Sequence, residues 1–86
     1  MHTVELLELA VEAASQLGIG VRQELLGGGG TACCEVQGRQ WIFFDLADDP
    51  PEHLAAAMEA LRRAPGLMPN RLDPRLANAL ATRRSA

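Results

Sequence analysis

The sequence predicts an α+β domain: a three-stranded antiparallel sheet with two helices on one face and a short C-terminal helix. Two observations predict this class. Apolar residues recur with helical spacing at both ends of the chain, and they alternate with polar residues between them. A chain of 86 residues supports one core, so we assign residues 1–82 to a single domain and residues 83–86 to a disordered tail.

The first helix is predicted over residues 4–17. Apolar side chains recur there every three to four positions from Leu7 to Leu17, and glutamates occupy the opposite side. Thr3 suits the N-cap position, and Gly18 suits the residue after the last turn. We therefore expect one face of this helix to pack on the sheet.

Three strands follow, at residues 19–25, 31–36 and 39–46. The first alternates apolar and polar residues, which is typical of a half-buried strand. The other two flank Gln37 and Gly38, and a two-residue loop with glycine in second place is typical of a tight hairpin.

The second helix is predicted to begin at Asp49, because Pro50 suits the first helical position and Glu52 can reach back to the cap. It ends before Pro65. The pair Asp73 and Pro74 repeats the same starting chemistry for the last helix.

Strand alternation divides the hairpin into two faces. We predict that the helices cover the face made of Ala32, Cys34, Val36, Ile42, Phe44 and Leu46. The opposite face then presents Thr31, Cys33, Glu35, Arg39, Trp41, Phe43 and Asp45. Little chain remains to cover it, although the last helix could fold back over it. We therefore predict an interface formed by Trp41, Phe43, Cys33 and Arg39, at which the chain forms a homodimer or docks on a protein partner.

The glycine joint, Gly27, Gly28, Gly29 and Gly30, suggests an alternative function, because bare backbone N–H groups can hold the phosphates of a small ligand or nucleotide. Phosphate loops lead from a strand into a helix, however, whereas this one leads into another strand. We interpret the glycines as a flexible joint.

The charge distribution suggests a second alternative. Six of the eight Lys and Arg positions, all arginines, follow Leu61, while ten of the eleven carboxylates precede it. An arginine-rich C-terminal part could contact nucleic acid, but it has no aromatic residue to stack on bases and the net charge is −3. We do not expect nucleic acid as a partner.

Neither an enzyme nor a metal site is predicted. Cys33 and Cys34 are adjacent in a strand, so their side chains point apart, and His2 and His53 lie far from them in sequence. We expect His53 to face solvent. No serine or cysteine has an evident histidine to activate it, so we predict no catalytic residue and no cofactor.

Localisation is predicted to be cytoplasmic. No apolar run approaches the roughly 20 residues needed to cross a membrane, and adjacent cysteines do not make a disulfide framework. We expect no membrane association.

The segment from Leu17 to Val21, the glycine joint, Gly38 with Arg39, and the apolar strand ending in Asp45 resemble short bacterial proteins of unknown function. The order of elements over residues 5–62 also resembles the front part of IrrE-type zinc peptidase domains. That family carries H-E-x-x-H on the helix after the sheet, where this chain reads EHLAAAME from Glu52. The zinc ligands are absent, so the resemblance does not extend to peptidase activity.

Overall fold

The computed structural model describes residues 3–25 and 30–82. In chain order its elements are α1 (Thr3–Gln16), β1 (Gly20–Glu24), β2 (Ala32–Val36), β3 (Arg39–Asp45), α2 (Pro50–Arg63), a 3₁₀ turn (Pro69–Arg71) and α3 (Pro74–Ala81). The predicted α+β class is confirmed. The predicted tail at 83–86 and Gly27, Gly28 and Gly29 of the predicted joint lie outside the described residues.

The sheet is mixed, so the predicted antiparallel arrangement is wrong. β3 lies in the centre, antiparallel to β2 on one side and parallel to β1 on the other. Strands that follow one another along the chain, β1 and β2, are therefore not neighbours in the sheet. Residues 25–31 connect opposite edges, a distance of about 10 Å for two strand spacings, which this length of chain can span.

On each side of this connection, a described residue forms a hydrogen bond with a residue at the end of β3. The N–H of Leu46 donates to the carbonyl of Glu24 at 2.9 Å. The N–H of Gly30 donates to Oδ2 of Asp45 at 3.1 Å. Asp45 is 1% exposed, so a buried carboxylate at the end of the central strand holds the start of the chain's approach to β2.

The predicted hairpin is confirmed. Gln37 and Gly38 have φ angles of 53° and 81°, positive at both positions as in the type I′ turn that suits twisted strands. Val36 and Arg39 pair directly across the turn. This pair fixes the register of the whole hairpin.

Helices α1 and α2 pack against each other and cover one face of the sheet. Ile42 and Phe44 of β3 lie beneath them and are 0% and 1% exposed. The buried core consists of Ala10, Ala13, Ala14, Ile19, Ile42, Phe44, Ala57, Met58, Ala60, Leu61 and Leu76. Five of its eleven members are thus alanines, whose small side chains let the helices approach closely.

Helix α3 packs on α1, and its Leu76 is 1% exposed. It therefore belongs to the helical layer of the fold and does not fold back over the opposite sheet face. Asp73 caps it by accepting the N–H of Arg75 at 2.9 Å. Asp49 occupies the N-cap of α2 as predicted, but its side chain makes no capping hydrogen bond.

Candidate interaction surface

The sheet face opposite the helices, which we call the outer face, is centred on two stacked aromatic rings. The centroids of Trp41 and Phe43 are 5.8 Å apart and their planes differ by 17°. Both residues are half-buried. They lie two positions apart on the central strand, where alternation directs them to the same side.

The strand register determines which residues flank this aromatic pair. Gly20 and Arg22 of β1 lie opposite Trp41 and Phe43. Cys34 of β2 pairs with Trp41 from the other side. The Trp41 ring is therefore bordered by glycine on one side and a small thiol on the other, whereas Phe43 lies between Arg22 and Ala32.

Arg39 extends the outer face along β3. Its guanidinium carbon lies 4.8 Å from the centroid of the Trp41 ring, within the range of a cation–π contact. Its Nε donates to the carbonyl of Gly18 at 2.9 Å. This bond holds the guanidinium in place over the ring.

A shallow groove of about 390 Å³ runs along the outer face. It is lined by Arg22, Val36, Gln37, Arg39, Trp41 and Phe43. Within the described residues, the helices lie on the other side of the sheet or pack on α1. The groove combines an apolar centre with polar ends, the arrangement found in protein interfaces.

Three of the four residues predicted at the interface, Trp41, Phe43 and Arg39, lie together on this face. Cys33 does not, and its predicted position is wrong. It pairs with Ile42 on the helix-covered face, and its Sγ donates to the carbonyl of Ala56 in α2 at 3.3 Å. Although the residue as a whole is exposed, desolvation of the thiol against α2, reinforced by the negative charge of Glu59, raises the pKa of Cys33.

The residue that replaces Cys33 on the outer face is Cys34. A two-residue turn pairs Val36 with Arg39, and paired residues share a face. Val36 and Cys34 must then lie on the side of Arg39 and Trp41. The two-residue turn, by pairing Val36 with Arg39, was the sequence signal that assigns the faces of β2. The predicted faces of β2 are wrong by one residue.

At the end of the strands opposite the hairpin turn, the residues that lead into β2 donate backbone hydrogen bonds to two carboxylates. The N–H of Gly30 donates to Asp45, and the N–H of Thr31 donates to Oδ2 of Asp48 at 2.8 Å. The Oγ1 of Thr31 in turn accepts the N–H of Asp45 at 2.9 Å. A phosphate here would compete with two carboxylates for the same donors, which weighs against the nucleotide alternative.

His53 lies beside the backbone of Asp45 and is half-buried, so its predicted solvent-facing position is wrong. Its ring stacks on Phe44 with a centroid distance of 4.7 Å. Its Nε2 lies 2.8 Å from the carbonyl oxygen of Asp45; since that oxygen can only accept, Nε2 carries the proton. The histidine thus ties α2 to the end of β3.

Several arginines of the C-terminal half are engaged by neighbouring groups. Arg63 pairs with Glu59 at 2.7 Å, and Arg75 pairs with Asp73 at 2.9 Å. The Nε of Arg62 donates to the carbonyl of Leu80 at 3.3 Å. Of these three contacts, the one made by Arg62 joins α2 to α3, and the two ion pairs reduce the charge available to a nucleic acid.

Within the residues that the structure describes, no three His, Cys, Asp or Glu side chains are grouped as a metal site would require. Both cysteines are free thiols. No helix between residues 3 and 25 or 30 and 82 has the length and apolar character that a bilayer span demands.

Neither family models, nor curated proteins, nor solved structures yielded a match to this chain.

Proposed function

We propose that this chain is a non-enzymatic protein-interaction module that docks on another copy of itself or on a protein partner through its outer face. The observation that carries the proposal is the Trp41–Phe43 stack, half-buried and lying on the side of the sheet that the helices do not cover. Full burial of a large aromatic side chain contributes roughly 2 to 3 kcal/mol. In a domain of this size that is a large contribution to leave unused.

The surroundings of the stack support docking rather than a small-molecule site. The groove is shallow and flanked by exposed Arg22 and Gln37, whereas small-molecule sites enclose most of their ligand. Aromatic and arginine side chains at the centre of a patch are the residues that most often dominate binding energy between proteins. Trp41, Phe43 and Arg39 form such a centre.

The preorganised arginine adds specificity. Arg39 is held by Gly18 and by the Trp41 ring, so it loses little side-chain freedom when a partner binds. A carboxylate or carbonyl on the partner can then be recognised by its remaining N–H groups. We expect an apolar partner surface with an acceptor at its margin.

Trp41→Glu tests the proposal. The buried negative charge should disrupt docking, and light scattering should show the mass of the associated species falling by half while helical circular dichroism is retained. Met68→Glu is the matched control, because Met68 is an exposed apolar residue, 51% accessible, that lies by the 3₁₀ turn. It should leave the mass unchanged.

Trp41 is the single tryptophan of the chain, so its fluorescence reports on this face alone. A parent protein that stays monomeric at high concentration, with Trp41 emission typical of complete shielding from water, would show that the face is covered within the chain.

A further inference from the structure

β2 forms an open edge of the sheet, and all five of its residues are exposed. Its register with β3 is unbroken from Ala32 to Val36, so no bulge distorts it. It contains neither proline nor lysine, two residues that natural edge strands use to prevent pairing. Alternate residues of β2 therefore direct backbone N–H and C=O groups toward a second strand.

We propose that this edge pairs with β2 of a second copy of the chain, antiparallel, about a two-fold axis at Cys34. The inference rests on the proposed function in identifying the partner as another copy, but it concerns a different surface. A two-fold axis is the commonest symmetry of homo-oligomers, and it pairs a strand with its own copy in antiparallel orientation.

The position of the axis follows from the sequence of β2. Cys34 is the middle residue of Ala32–Val36, so an axis there pairs all five residues of each copy. Glu35 then lies opposite Cys33 of the second copy. An axis at Glu35 would instead place two carboxylates face to face, which is destabilising.

Charge complementarity supports the same register. Cys33, Glu35 and Arg63 line one cavity of about 290 Å³ at the β2 edge. Pairing Glu35 with Cys33 of the second copy brings its carboxylate next to Arg63 of that copy. Within residues 3–25 and 30–82, Glu35 makes no ion pair of its own, whereas Arg63 contacts Glu59 through one terminal nitrogen and retains other donors.

Pairing at this edge also extends the outer face. The two-fold axis is perpendicular to the sheet, so the Trp41 and Phe43 rings of both copies lie on the same side of one six-stranded sheet. Edge pairing alone gives a dimer, and docking of two such outer faces gives a tetramer. The two contacts can therefore be separated by experiment.

Disulfide trapping tests the register. Directly opposed residues have Cα atoms about 4.5 to 5.5 Å apart, within the range that a disulfide spans. Cys33 and its copy are offset diagonally by about 7 to 8 Å, at or beyond that range. Diamide is the oxidant: two thiols lose two protons and two electrons to its N=N bond, which becomes the hydrazine, and one S–S bond forms.

The variant Cys33→Ser, which retains Cys34, should give a disulfide-linked dimer at least about tenfold faster than Cys34→Ser, which retains Cys33. In the Cys33→Ser background, Glu35→Arg and Arg63→Glu should each slow cross-linking severalfold, and the two together should restore it. Circular dichroism confirms that each variant is folded. Trp41→Glu in the same background should still cross-link, because it removes the outer-face contact and leaves the edge.

Equal rates for the two single-cysteine variants would overturn the edge dimer. So would charge variants whose combination fails to restore cross-linking. Association that light scattering detects and Trp41→Glu abolishes, without any Cys34 disulfide, would overturn the edge dimer and leave the proposed outer-face function intact. A Cys34 disulfide together with association that Trp41→Glu does not affect would support the edge dimer and overturn the proposed outer-face function.

Discussion

The Trp41 ring lies directly against the Cα of Gly20 on the neighbouring parallel strand. A Cβ atom placed on Gly20 would come within 2.6 Å of Cζ3 of Trp41, closer than carbon atoms approach in proteins. Gly20 thus allows the indole to lie flat on β1 and to stack on Phe43. A glycine that weakens the strand by its own flexibility is required here for the aromatic surface.

Gly20→Ala should therefore displace Trp41. We expect a loss of roughly 1 to 3 kcal/mol in the free energy of unfolding, the usual cost of overpacking, together with a red shift of Trp41 emission as the ring leaves the sheet. Gly66→Ala is the control, since its Cβ would meet only Leu17 at 3.5 Å, an ordinary contact. Unchanged emission in Gly20→Ala would contradict the contact described here.

The two faces of β3 make the next prediction. Phe44 is 1% exposed beneath the helices, whereas Phe43, next to it in sequence, is half-buried on the outer face. Phe44→Ala should cost about 3 to 5 kcal/mol through lost burial and a cavity, enough to unfold much of so small a domain. Phe43→Ala should cost clearly less in the monomer.

Chemical denaturation of the two variants measures this difference. The substitution is the same in both, so the comparison isolates the face. Equal losses would mean that the outer face is as well covered as the core.

The faces of β3 could be predicted from the sequence, but those of β2 could not be predicted from its own pattern. Alternation along β3 assigned Trp41 and Phe43 to one side and Ile42 and Phe44 to the other. The apolar faces of the predicted helices could then cover one of these two sides. β2 carries small residues on both sides, so its own pattern did not distinguish them. Only its pairing through Val36 and Arg39 does.

The strand order was harder to predict. Nothing in the alternation of β1 indicates which neighbour it pairs with, and a glycine-rich connection permits either a turn to the adjacent strand or a crossing to the far edge. The contacts that stabilise the crossing are a buried Asp45 and backbone groups of residues distant in sequence. Nor does the sequence single out the buried alanines: alanine buries little area, yet α1 and α2 together supply five of the eleven core residues as alanines.

Asp45 provides a test of the crossing. Its Oδ2 accepts the N–H of Gly30 and its Oδ1 accepts the N–H of Ala47 at 3.0 Å. An amide at this position can accept with only one of its two terminal atoms. Asp45→Asn should therefore leave a buried N–H facing an NH₂ group and cost about 1 to 3 kcal/mol in the free energy of unfolding.

Asp48→Asn is the matched control for Asp45→Asn. Asp48 accepts the N–H of Thr31 with one oxygen, a role that the amide oxygen of asparagine can take over. Asp48→Asn should therefore lower the free energy of unfolding by less than Asp45→Asn. Urea denaturation measures both variants. A cost below about 0.5 kcal/mol for Asp45→Asn would show that the approach to β2 does not depend on this carboxylate.

The final prediction concerns pH and the start of α3. Asp73 accepts from Nε of Arg75 at 3.0 Å, from Nη2 at 2.9 Å and from the backbone N–H at 2.9 Å. These hydrogen bonds, the side-chain ones first, lower the pKa of Asp73 to about 2. Because the folded-state pKa is lower than the unfolded value of about 3.9, the contribution of this carboxylate to stability is present above that value. It is lost as the pH falls toward 2.

Titration of the Asp73 carboxyl carbon by NMR should give a midpoint near 2 in the parent protein. Arg75→Gln removes the guanidinium donors and should move the midpoint toward the ordinary value for aspartate. Arg71→Gln deletes an equal charge from the neighbouring 3₁₀ turn without touching those hydrogen bonds, so it should leave the midpoint almost unchanged. Equal shifts in the two variants would show that general charge, rather than the bidentate contact with Arg75, lowers this pKa, and the cap of α3 would then not depend on that pair.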